Sequence, residues 1–173
     1  MVNRLIGIVT FKAPVYREVA HDPAALTPAG VIVVIVTVLI ALVNVLLGIN
    51  PLGVLAIAAS SLTTVLVSWL LASWLTALIA NKLFGGQSST SELLRIFGHA
   101  YVFQVLIIIP FIGAIAAFVL SIIATVLAIR ESAGFDTQKA IFTAIISGVI
   151  LLVLNLVIAS AIGGIFGAAL LGS

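Results

Sequence analysis

A chain of 173 residues that is 64% hydrophobic and only 7% charged cannot be a soluble globular domain, where roughly a quarter of residues carry charge. The absence of cysteine excludes disulfides, thiol chemistry and cysteine metal sites, and a net charge of +2 is too small to mark a nucleic-acid binder. A spanning helix takes about 20 apolar residues, so the bilayer is the solvent and five or six spans use up the chain.

Residues 1–12 place Val2, Leu5, Ile6 and Val9 at helical spacing, with Asn3, Arg4, Gly7 and Thr10 opposite. The segment is too short and too polar to span. It predicts an amphipathic helix lying in the membrane interface. Pro14 suits the first turn of a second short helix. Asp22-Pro23 and Thr27-Pro28 each set a capping side chain before a proline, and each predicts a helix start. This leader, residues 1–27, is not built like a cleavable signal peptide, and no targeting segment is read in it.

Span one covers 29–49, and Asn50-Pro51-Leu52-Gly53 reads as a turn. Span two covers 52–84. At about 1.5 Å per residue it is about 50 Å long, against a hydrocarbon core of about 30 Å. It must tilt, project, or break near Ser60-Ser61. Its hydroxyl residues between Ser60 and Thr76 favour close helix packing. Trp69 and Trp74 sit deeper than an interfacial aromatic belt unless this helix projects.

Gly85-Gly86-Gln87 is a loop, and Ser89 with Glu92 has capping-box spacing to open span three, 90–109. Pro110 and Gly113 turn the chain into span four, 111–130. Gly134 is placed to stop that helix, and Asp136 or Thr137 to cap span five, 138–161. Gly163, Gly164 and Gly167 leave two fates for the apolar tail: it continues the helix or folds along the outer face.

Threading five spans from a cytoplasmic N-terminus puts all seven lysines and arginines, all five acids and both histidines on one side. The loops around Pro51 and Pro110 carry no charged side chain. This is the positive-inside pattern. It predicts a multi-pass protein of the cell membrane with its C-terminus on the side opposite the cytoplasm. The fold expected is all-α: a single domain over 1–173, a five-span transmembrane helical bundle preceded by an interfacial amphipathic helix.

The candidate functional residues are Glu92, Arg95 and His99 on span three, and Arg130, Glu131 and Lys139 around the end of span four. With regular helices, counting from Pro110 sets Arg95 about 7 Å deeper than Arg130 and His99 about 16 Å from the turn, near the bilayer centre. Glu92, Arg95 and His99 share one helix face. That face must avoid lipid, because a charge there costs about 3 kcal/mol. Two readings stay open. The stripe lines a cytoplasm-facing pocket with His99 at its floor, or Glu92 pairs with Arg95 while a neutral His99 bonds a backbone carbonyl, Asn44 or Asn155. Asn44, Gln104 and Asn155 suit helix–helix hydrogen bonds, and Ser121 and Thr125 suit bonds back into their own helix. His21, Asp22 and His99 lack metal-ligand spacing, and the sequence has no nucleophile elbow or phosphate loop. No catalytic, cofactor or metal site is expected, and the chain is not expected to be an enzyme.

Three stretches carry a family resemblance: RLIGIVTFKAPVYREVAHDPAA, GGQSSTSELLRIFGHAYVFQVLIIIPFIG and LAIRESAGFDTQKAI. Their order and spacing resemble the Yip1 domain family, in its short prokaryotic branch. The resemblance implies a five-span bundle with a cytosolic N-terminus, and membrane organisation or partner recruitment rather than chemistry. Eukaryotic members act in vesicle trafficking and bind prenylated small GTPases. Three functions are weighed: a membrane scaffold or adapter, translocation of a small solute, ion or lipid, and an accessory subunit of a larger complex. The expected partners are membrane lipids and either another protein or a second copy of the chain, and not nucleic acid.

Overall fold

The computed structural model describes residues 2–46 and 54–171, without the side chains of 54–57, 163 and 165–171. Two short helices, α1 (Val2–Val9) and α2 (Ala13–His21), lead through a 3-10 turn (Pro23–Ala25) into α3 (Leu26–Leu46). Then come α4 (Val54–Phe84), α5 (Thr90–Ala100) with a 3-10 continuation (Tyr101–Ile108), α6 (Ile112–Ala133) and α7 (Thr137–Leu171). Five segments are long and apolar enough to cross a membrane: Pro23–Leu46, Ala58–Phe84, Thr90–Ile108, Ile112–Ala133 and Thr137–Ile162. The chain is an all-α, multi-pass membrane protein whose outward side chains meet lipid.

The helix signals resolve as follows. Asp22 Oδ1 accepts from the Ala24 N–H at 2.9 Å and caps the 3-10 turn. That turn runs straight into α3 at Leu26, so Thr27 lies inside the helix and starts nothing. Ser89 and Glu92 form the full capping box of α5. Gly134, at φ 67°, ends α6, and Asp136 Oδ1 accepts from the Lys139 N–H at 2.8 Å to open α7. The turn at 50–53 lies outside the described residues. Helix α4 runs unbroken past Ser60-Ser61. Helix α7 continues through Gly163, Gly164 and Gly167 to Leu171, so the tail extends the fifth helix.

Small side chains take about half of the buried apolar positions among the described residues. Large side chains such as Ile35, Leu42, Phe118, Ile122, Leu152 and Leu156 point outward, while Ala29, Ala41, Ala77, Ala80, Ala117, Ala124, Ala128 and Ala140 are buried. Between α4 and α7 the buried residues include Ser73, Thr76, Thr143 and Ser147. The hydroxyls of Ser73, Thr143 and Ser147 bond carbonyls of their own helix. Small residues let backbones approach where lipid gives no drive to bury large ones. Two amides cross between helices: Asn155 Oδ1 accepts from Ser68 Oγ, and Gln104 Nε2 donates to Ser121 Oγ at 3.1 Å. Asn44 instead donates to Ile40 O in its own helix, and Ser121 takes the cross-helix bond.

Span three departs from a regular helix. Its last eight residues, Tyr101–Ile108, are 3-10. A 3-10 helix rises about 2.0 Å per residue against about 1.5 Å for α. Nineteen residues therefore reach about 32 Å, matching the 22 residues of α6 at about 33 Å. This corrects the depths expected from regular helices. His99 moves to about 19 Å from the turn, and Arg95 lies within about 4 Å of the level of Arg130.

The turn between these arms is tight and strained. The Ile112 N–H bonds Pro110 O at 2.8 Å around Phe111, which sits at φ 62°, ψ −68°. That is a γ-turn with a non-glycine centre. A Cβ added at Gly113 would overlap the Leu106 carbonyl oxygen. Opposite mutational effects are expected here. Phe111→Gly should stabilise the bundle by about 1 kcal/mol, since Phe111 is 90% exposed and only its backbone is strained. Gly113→Ala should destabilise it by at least about 2 kcal/mol. Unfolding in mixed micelles with increasing SDS measures both.

Candidate functional site at the charged end of the bundle

The charged residues gather where α2 ends, α4 meets α5, and α6 meets α7. The leader comes first. Helices α1 and α2 form an antiparallel hairpin whose tip is Thr10–Lys12. Arg4 pairs with Glu18 at 2.9 Å and Asp22 at 2.6 Å, and Tyr16 Oη donates to Ile8 O at 3.0 Å. At Gly7 an added Cβ would come within 2.6 Å of Val15, so the crossing needs glycine. Beside Arg4, the Asp22 carboxyl is held below its ordinary range, chiefly by the bond from that guanidinium, and Arg4 is correspondingly raised. Burial pushes the Tyr16 phenol up.

The hairpin does not merely rest at an interface. Ile8, Tyr16, Val19 and Ala20 are fully buried against Ile96, Phe103, Ala124 and Ala128 of spans three and four. Phe11 stacks on Phe103 with centroids 5.4 Å apart. The periodicity marks Val2, Leu5, Ile6 and Val9 as the apolar face. The docking face is Gly7 and Ile8, and Val2, Ile6 and Val9 stay exposed beside it. The helix is apolar on more than half its circumference, so spacing alone could not choose the docked side.

The six candidate residues fall into linked groups. Arg95 donates from Nη1 to Ala20 O and so ties α5 to the leader. His99, fully buried, has Nδ1 2.8 Å from Arg95 O. Glu92 is not paired with Arg95. Its Oε2 accepts from the Ser89 N–H at 3.0 Å and from Ser132 Oγ at 3.1 Å. Glu131, 8% exposed, bridges Arg17 of the leader and Arg130, each at 2.9 Å. Lys139 stands 5.9 Å over the Phe135 ring, which meets Phe84 edge-on.

Sequence reasoning missed Asn81, Ser88 and Ser132. Asn81 exchanges two bonds with the Ser88 backbone, at 2.8 and 3.0 Å, and closes the α4–α5 loop. Ser88 and Ser132 share a buried hydroxyl contact, and Ser132 passes the chain of bonds on to Glu92. Isolated serines carry no spacing signal that could have shown this. Apart from this end, an apolar groove of about 510 Å³ opens between α3 and α4, lined by Gly30, Val34, Trp69 and Leu94 among others. Among the described residues no three of His, Cys, Asp and Glu stand together as a metal set.

Two outcomes test this wiring. Ser132→Ala leaves the buried Ser88 hydroxyl short of a partner and should cost about 1–2 kcal/mol in the same SDS titration. Acid should loosen the leader. A carboxyl with a depressed folded pKa contributes stability above its unfolded pKa, and that stability is lost as pH falls through the folded value. Hydrogen exchange at residues 2–21, corrected for intrinsic rate, should therefore quicken below about pH 4, and Asp22→Asn should flatten that dependence.

No curated protein and no solved structure matches the chain. The model of the Yip1 domain matches residues 6–159, from the docked leader to the fifth span. That match covers most of the chain and takes in all five apolar segments at least in part, and the chain belongs to the Yip1 domain family.

Proposed function

We propose that this protein is a non-enzymatic scaffold or adapter of the cell membrane, which organises the bilayer or recruits a partner at its cytoplasmic face. The observation that carries the reading is the use made of charge. Arg4, Arg17, Glu18, Asp22, Arg95, Arg130 and Glu131 hold the leader and the span ends to one another. The result is a fixed surface rather than a reactive cleft. Arg17, with 67% of its side chain exposed, and Lys139 give that surface accessible positive charge. Exposed Val2, Ile6 and Val9 give its edge an apolar strip suited to the headgroup boundary.

The cytoplasmic assignment is supported by the charge count. With five spans and an odd number of crossings, every charged side chain falls on the side of the N-terminus. The occupant of the surface is another protein, as an adapter or as the rest of a larger complex, or a second copy of this chain. Translocation through the bundle is a weaker reading. It is favoured by the buried polar atoms of span three and opposed by the absence of an inverted repeat.

Gentle-detergent purification of the tagged chain with mass spectrometry is the test. A stoichiometric partner is expected. Lys139→Glu, which leaves the Arg17–Glu131 pair intact, should cut its recovery about tenfold, since reversing a rim charge juxtaposes like signs across the interface. A chain recovered alone or as a homo-oligomer, with transport activity in liposomes, would overturn the adapter reading.

A further inference from the structure

Two side-chain atoms among the described residues are buried with no hydrogen-bond partner: Arg95 Nε and His99 Nε2. They belong to residues one helical turn apart, on one face of α5. Native interiors leave few such atoms, and bound water is the usual remedy. The chemistry of the pair is set by its other bonds. His99 Nδ1 contacts the Arg95 carbonyl, which can only accept, so Nδ1 carries the proton and the Nε2 of the neutral ring is a bare lone pair. Arg95 Nε carries an N–H. One starved acceptor and one starved donor therefore share a face of α5, one turn apart.

That combination fits water. A water molecule accepts from Arg95 and donates to His99 with its other side. An anion has no proton to offer Nε2, and a metal ion would meet the guanidinium's charge. What keeps this polar spot from bulk water is the leader. Ala20 O holds Arg95 Nη1, and Ile8, Tyr16 and Val19 seal the surface above spans three and four.

We propose that the α1–α2 hairpin is the lid of a small hydrated site, where one water bridges Arg95 Nε–H and His99 Nε2, and that undocking the hairpin opens this site at the charged end. The lid is fastened by contacts that are separable: the Phe11–Phe103 stack, the Arg17–Glu131 ion pair and the burial of Tyr16 against spans three and four. The site does not depend on what the outer surface recruits.

The chain has two histidines, so His21→Gln leaves His99 as the only one. Solid-state NMR of the full-length, 15N-histidine-labelled variant in lipid bilayers reads the ring directly. The expected spectrum has a protonated Nδ1, an unprotonated Nε2, and magnetisation transfer from water to the ring. A protonated Nε2 with a bare Nδ1, or no transfer from water, would overturn the hydrated site. The lid is read by exchange of the Nδ1 proton with D2O. Phe11→Ala with Arg17→Ala should speed it about tenfold by raising the open population, with exchange across α6 unchanged. Tyr16→Ala should speed it further, and the milder double variant stands if Tyr16→Ala does not fold. Equal exchange in the parent and the double variant would overturn the lid.

Discussion

Lipid tails are as apolar as leucine, so burying a large side chain between spans gains nothing from the hydrophobic effect. The rest of the bundle follows from that constraint. Helices are held by close approach and by hydrogen bonds that lipid cannot supply. Gly98 shows the first: an added Cβ would come within 2.6 Å of Ala29 and 2.9 Å of Trp69. The Ser68–Asn155 and Gln104–Ser121 bonds show the second, and each joins two spans at one point. Bulk is left on the outside, where Ile, Leu, Val and Phe face acyl chains at no cost.

The leader obeys a different rule because it is reached from the water side. Among the largest fully buried side chains are Tyr16, Ile8 and Val19 of the hairpin, and Leu93 and Ile96 of α5. Burying a large apolar side chain from water gains about 1.5–3 kcal/mol. Three such residues favour docking of the hairpin by about 5–9 kcal/mol. Docking therefore has a solvent-driven component, and the ion pairs fix its register more than its strength. Exposed pairs such as Arg4–Glu18 are worth little by themselves, but Glu131 is buried and needs both arginines.

Much of this was legible in the residues. Five hydrophobic stretches, the Ser89–Glu92 capping box, and Gly134 followed by Asp136 appeared where their chemistry required them. The stop of α6 follows from one left-handed residue, which glycine adopts freely. Other features had no local signature. Residues 101–108 are apolar but for Tyr101 and Gln104, and nothing in their pattern distinguishes α from 3-10. The leader has two usable apolar faces, and only the surface it meets decides between them. Ser88 and Ser132, 44 residues apart, become partners through the fold alone.

The 3-10 stretch links these scales. Stretching the far half of span three lets 19 residues match the reach of 22 in its neighbour, and it lifts the near half toward the charged end. Had span three been a regular helix, Arg95 would sit about 7 Å below Arg130, farther from the carbonyl that closes α2. At its actual height the guanidinium meets Ala20 O, and the side chains of Glu92 and Ser132 meet across from span four. A stripe that reads as intramembrane charge thus becomes the seam between the spans and the leader. His99, one turn further in, is the point where the seam passes into the dry bundle.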